Sequence, residues 1–104
     1  MKKLACFERK DKMEKIETKR WDDSAIGRPE VYGYNAYFEV DGKRYYADIS
    51  SRVSPIETMI FPCTKKGKID FRHELYVAYH DETSSDNLLY DIEQFKRELA
   101  GHEA

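Results

Sequence analysis

Histidine, cysteine, acidic and hydroxyl side chains are the groups that most often carry chemistry, and in this chain they do not assemble into a recognisable set. His73-Glu74 opens the pattern of a helical zinc-protease motif, but the second His belongs at position 77, which is Val77. His73 and His80 are seven residues apart, so on one strand they point to opposite faces and share no metal. His73 falls among apolar alternating positions, which predicts a hydrogen-bonded core histidine. Cys6 and Cys63 lack a second Cys at metal or redox spacing, so both are expected to be small buried apolar residues. The five glycines stand alone at 27, 33, 42, 67 and 101, which leaves no phosphate-cradling loop, and no Ser sits in a nucleophile elbow. Asp22-Asp23 lies in a polar stretch where nothing would raise a carboxyl pKa. These absences predict a protein that is not an enzyme and holds no cofactor or metal.

The aromatic residues carry more information. There are eight Tyr and five Phe, and 13% of the chain is aromatic. Tyr37 and Tyr46 fall on the face of a hairpin opposite Phe38 and Tyr45, with Glu39 and Arg44 beside them. Tyr76 falls on the polar face of its own strand. If one helix covers one side of a sheet, these tyrosines stay exposed. Exposed Tyr beside Arg is the composition of a protein-binding hot spot, and the same rings would stack nucleic-acid bases. The expected partner-binding residues are therefore Tyr37, Glu39, Arg44, Tyr46 and Tyr76. The competing arrangement has the N-terminal segment folded over that face as a second layer. Trp21 reads as a core plug.

These residues need elements to position them. Residues 31–40 and 43–50 are two β-type runs separated by Asp41-Gly42, the strongest short-range hairpin signal, because a type I′ turn needs positive φ at both central residues. A two-residue loop makes paired residue numbers sum to 83. Phe38 then faces Tyr45, Ala36 faces Ala47 and Tyr34 faces Ile49 on an apolar face. Glu39 meets Arg44, Tyr37 meets Tyr46 and Asn35 meets Asp48 on the other, with an ion pair and an aromatic pair directly opposed. A slip of one residue would destroy both faces.

A second hairpin is expected over 57–80. Ile69, Phe71, His73, Leu75, Val77 and Tyr79 alternate with polar or smaller residues, as a long period-two strand does. Before it, Met59, Phe61 and Cys63 share a face, and Pro62 marks an edge strand or a strand end. Gly67 supplies a positive-φ position in the connector. Ser54 and Pro55 would serve as N-cap and first residue of a short helical turn before that strand. A C-terminal helix is predicted over 86–100. Ser84 or Ser85 caps it, Asp86 sits in its first turn, Leu88, Leu89, Ile92, Phe95 and Leu99 form its apolar stripe, and Gly101 ends it. Residues 1–21 read as two strands, 3–8 and 13–21, around Lys10-Asp11, with a charged helix over 13–21 as the alternative, and residues 22–30 as a loop. The expected fold is α+β: one domain over 1–104, an antiparallel sheet of about four to six strands, and the helix packed on the Phe38/Tyr45 face.

Length and charge bound the rest. A chain of 104 residues supports one core and is too short for two ordinary domains. Its net charge of −2 hides a gradient. Residues 1–20 carry eight Lys/Arg against four Asp/Glu, and residues 81–104 carry two against seven. The basic start is diluted by Glu8, Asp11, Glu14 and Glu17, whereas a dedicated nucleic-acid arm is usually purer. No apolar run approaches the ~20 residues of a membrane helix, and the start lacks the apolar core of a signal peptide. The expectation is a cytoplasmic protein with free thiols.

At Glu57-Thr58-Met59-Ile60-Phe61, followed by Gly67, Glu74-Leu75-Tyr76, Tyr79-His80 and a C-terminal helix, the chain resembles short proteins of bacterial phages and mobile elements. The resemblance spans residues 57–99 and implies a genetic setting rather than an activity or catalytic residues. Small phage proteins without catalytic motifs are often binders that block a host enzyme, as anti-CRISPR proteins do. It thus implies a non-enzymatic binder and inhibitor of a host protein or ribonucleoprotein, such as a CRISPR effector. A charge of −2 is too small for the acidic DNA mimics among such inhibitors. The alternative is a small nucleic-acid-binding protein using the basic 2–20 segment and the sheet tyrosines, whose affinity would fall steeply with salt.

Overall fold

The computed structural model describes residues 16–103. Five antiparallel strands form one sheet in sequence order: β1 (Lys19–Asp23), β2 (Arg28–Val40), β3 (Lys43–Ser50), β4 (Ile56–Pro62) and β5 (Tyr76–His80). One helix, α1 (Ser85–Glu103), follows and packs on one face, giving the α+β architecture. The expected strand at 3–8, the Lys10-Asp11 turn and Cys6 lie outside the described residues.

The central hairpin has the register that its turn dictates. Asp41 and Gly42 take φ of 51° and 82°, and Val40 pairs with Lys43, Phe38 with Tyr45, Tyr37 with Tyr46 and Asn35 with Asp48. Alternation carries this parity outward, so Ala36, Ala47, Ile60 and Tyr76 lie side by side on one face. Against them α1 sets Leu88, Ile92 and Phe95, all fully buried. Phe95 is the hub, its ring centroid 5.1 Å from Tyr45, 6.0 Å from Phe38 and 6.1 Å from Tyr76, each edge-to-face. Ser84 caps the helix by accepting from the Asn87 backbone N–H at 3.1 Å.

Several expectations need correction. Residues 22–30 are mostly sheet rather than loop. The Asp22 carboxylate accepts from both the backbone N–H and the hydroxyl of Ser24, which closes a tight turn over Ser24–Ile26. Pro29 is accommodated in β2 because pairing to β3 begins only at Gly33. The helical turn expected at Ser54-Pro55 is a run of bends with a cis Ser54–Pro55 peptide. The long strand expected over 69–80 is sheet only from Tyr76. Asp70 accepts from the Arg72 N–H, and the Asp70 carbonyl accepts from the His73 N–H, so a side-chain-stabilised turn overrides the alternating pattern. That turn leaves His73 exposed rather than in the core, 2.7 Å from the Asp70 carboxylate. Leu89 lies on the exposed side of α1, and Gly101 falls inside the helix instead of ending it, with nothing within 4 Å of where a Cβ would stand.

Removing the hub should be costly. Phe95→Ala is expected to lower the unfolding free energy by about 3–5 kcal/mol, read by chemical denaturation, because three rings and the sheet floor lose their common partner.

Candidate functional site

The face of the sheet away from α1 carries the candidate site. Parity places Asn35, Tyr37 and Glu39 of β2 and Arg44, Tyr46 and Asp48 of β3 there. Tyr37 and Tyr46 pair with ring centroids 5.1 Å apart, and the Arg44 guanidinium lies 4.8 Å above the Tyr37 ring. Glu39 sits directly opposite Arg44 in the register. Tyr37 remains 42% exposed. Four of the five expected residues are therefore brought together, at the end of the sheet nearest the Asp41-Gly42 turn.

Tyr76 is not among them. Pairing of Ile60 with Tyr76 puts its ring on the helix side, against Phe95. The more apolar side of β5, Val77 and Tyr79, faces the open side instead, paired with Met59 and Glu57. Reading β5 as part of a longer isolated strand inverted its orientation, because neighbour register outweighs the strand's own polarity.

The 63–75 connection adds a partial roof to the open face. Phe71, 63% exposed, packs edge-on to Phe61 at 5.1 Å and Tyr46 at 6.2 Å. Phe61 is buried as a result and Tyr46 is half-buried. The Tyr46 phenol is pushed up to about 12, first by desolvation and then by the nearby Asp48 and Tyr37 charges.

Trp21 completes the face in a role other than the expected core plug. Its ring lies over Gly33, and its Nε1–H donates to Asp48 Oδ1 at 3.0 Å. A Cβ at position 33 would collide with the Ile49 carbonyl oxygen and stand 2.6 Å from Trp21 Cζ2. The Arg52 guanidinium stacks 4.5 Å above Trp21 and bonds the Asp23 carboxylate at 3.0 Å. Between Trp21 and Phe71 runs a groove of about 560 Å³, floored by Tyr46, Asp48, Met59 and Phe61. Burial pushes the Asp48 carboxyl up, opposed by the Trp21 hydrogen bond and the Arg52 charge. The available signal for this groove was Gly33, the one glycine inside an otherwise regular strand pattern.

On the helix side, His80 Nε2 and Asp91 Oδ2 lie 2.6 Å apart, a pair that sequence reasoning missed because β5 was turned over. Among the described residues no cluster of three His, Cys, Asp or Glu is placed to hold a metal. Cys63 is a half-buried free thiol whose pKa is raised by burial, the opposite of an activated nucleophile. No described helix is long and apolar enough to cross a membrane. No family model matches the chain, and no curated protein or solved structure is significantly similar to it.

Two outcomes follow from this geometry. Gly33→Ala should destabilise the fold by roughly 1–3 kcal/mol and shift the Trp21 emission, because backbone and indole must both give way. Tyr46 holds its proton more tightly folded than unfolded, so stability falls as pH rises through the window from the ordinary value of 10 to about 12. Denaturation at stepped pH should show Tyr46→Phe losing less stability across that window than the wild type.

Proposed function

We propose that the chain is a non-enzymatic binding domain whose open sheet face docks on a macromolecular partner. The observation that carries this reading is that, among the described residues, one face is covered by α1 and the other, rich in aromatics, is left open. Exposed Tyr37 stacked with Arg44, next to an aromatic-walled groove, matches the Tyr- and Arg-rich composition of interface hot spots. The face carries both signs of charge, with Glu39, Asp48 and Glu57 alongside Lys19, Arg44 and Arg52. Such a surface suits a protein better than a phosphate backbone, which needs an excess of Lys and Arg. Blocking a host protein or ribonucleoprotein of the CRISPR-effector kind is the form of binding that the resemblance to phage and mobile-element proteins implies.

The test is capture of a partner from bacterial lysate, followed by affinity measurement on the purified complex. The double variant Tyr37→Ala/Arg44→Ala should weaken binding by about 2 kcal/mol or more while its melting temperature stays close to wild type. Raising salt from roughly 50 to 200 mM should weaken binding far less than the 1,000-fold or greater loss typical of a protein with six to ten phosphate contacts. A folded double variant that binds unchanged would place the interface elsewhere.

A further inference from the structure

The groove beside the Tyr37/Arg44 cluster has chemistry of its own. Its walls and floor are aromatic, with Trp21 on one side, Phe71 on the other and Tyr46 between them. Among the described residues its charged lining is mostly acidic: Asp22, Asp23 and Asp48 against one cation, Arg52. Asp22 is engaged by Arg20 at 2.9 Å and Asp23 by Arg52 at 3.0 Å. Asp48 accepts one hydrogen bond from Trp21, and a carboxylate has capacity for further donors. An anion entering here would meet like charge, whereas a cation would meet aromatic faces and a half-buried carboxylate.

Arg52 shows which cation suits the place. It reaches in from the bend after β3, lays its planar guanidinium on Trp21 at 4.5 Å, and turns donors toward Asp23 at 3.0 and 3.4 Å. Its side chain stays 60% exposed, so it lines the rim without filling the space. Stacking on a ring while bonding a carboxylate is a combination that guanidinium performs better than ammonium. We propose that the groove receives an arginine side chain from a protein partner, laid against the exposed Phe71 ring with its guanidinium bonded to Asp48 beside the Trp21 indole N–H. This rests on the open face being a protein-docking surface, and it names the group that the partner presents there.

The probes are two capped pentapeptides, Gly-Ser-Arg-Gly-Ser and the same sequence with citrulline in place of arginine. Citrulline keeps the length and planarity but removes the charge. Trp21 is the chain's single tryptophan, so its indole N–H resonance reports the groove directly. The arginine peptide should shift that resonance and bind at least tenfold more tightly than the citrulline peptide. Asp48→Asn should remove the difference, and Phe71→Ala, at an exposed ring, should weaken the arginine peptide several-fold in a folded protein. Equal binding of the two peptides to the wild-type protein, or binding of neither, would overturn the inference without any variant being made. That failure is distinct from failure of the broader reading, which shows as partner capture indifferent to Tyr37→Ala/Arg44→Ala.

Discussion

At Asp41-Gly42 the backbone takes positive φ at two successive residues, and the pairing of β2 with β3 is set there. Every later placement inherits that parity. Phe38 beside Tyr45 makes a floor for α1, and Tyr37 beside Tyr46 makes the opposite surface. β4 then adds Ile60 below the helix and Phe61 on the other side, and β5 adds Tyr76 and Val77 in the same alternation. Because the side-chain period is two, slipping β2 by one residue against β3 would bring Tyr37 under the helix and leave Phe38 in water. The candidate site and the core are two readings of one register.

Among the described residues, regular structure closes only one of these faces. The other is partly sheltered by the 63–75 connection, and the shelter is local. Phe71 lies over Phe61 and Tyr46, whereas Tyr37 lies beyond it. The face therefore divides into an exposed aromatic–arginine end and a recessed end where indole, phenol and carboxylate sit close together. Gly33 is the backbone provision for the recess, because only a residue without a side chain lets Trp21 lie against β2.

What was legible in the chain was what short-range physics decides. The hairpin followed from a turn dipeptide plus alternation, and α1 from a serine cap plus an apolar stripe. The placement of four of the five candidate residues on one face followed from the hairpin alone. The misplaced elements are those that a neighbour decides. Residues 69–75 alternate like a strand, but the Asp70 side chain and backbone bind Arg72 and His73 and turn the chain away. Tyr76 looks solvent-facing within its own strand and is placed under Phe95 by pairing with Ile60. Trp21 gave no local sign that Asp48, 27 residues away, would accept its N–H. Gly101 carries the usual signature of a helix end, yet the helix continues through it.

The His80–Asp91 contact bears on how the two layers are indexed against each other. Leu88, Ile92, Phe95 and Leu99 are chemically alike, and a stripe of such residues can slide or roll over a flat apolar floor at modest expense. A carboxylate only 1% exposed is less forgiving. Rolling α1 would withdraw Asp91 from the imidazole 2.6 Å away and leave a buried carboxylate without that partner. The pair acts as a dowel between sheet and helix: it selects one azimuth from the several that greasy surfaces alone would allow.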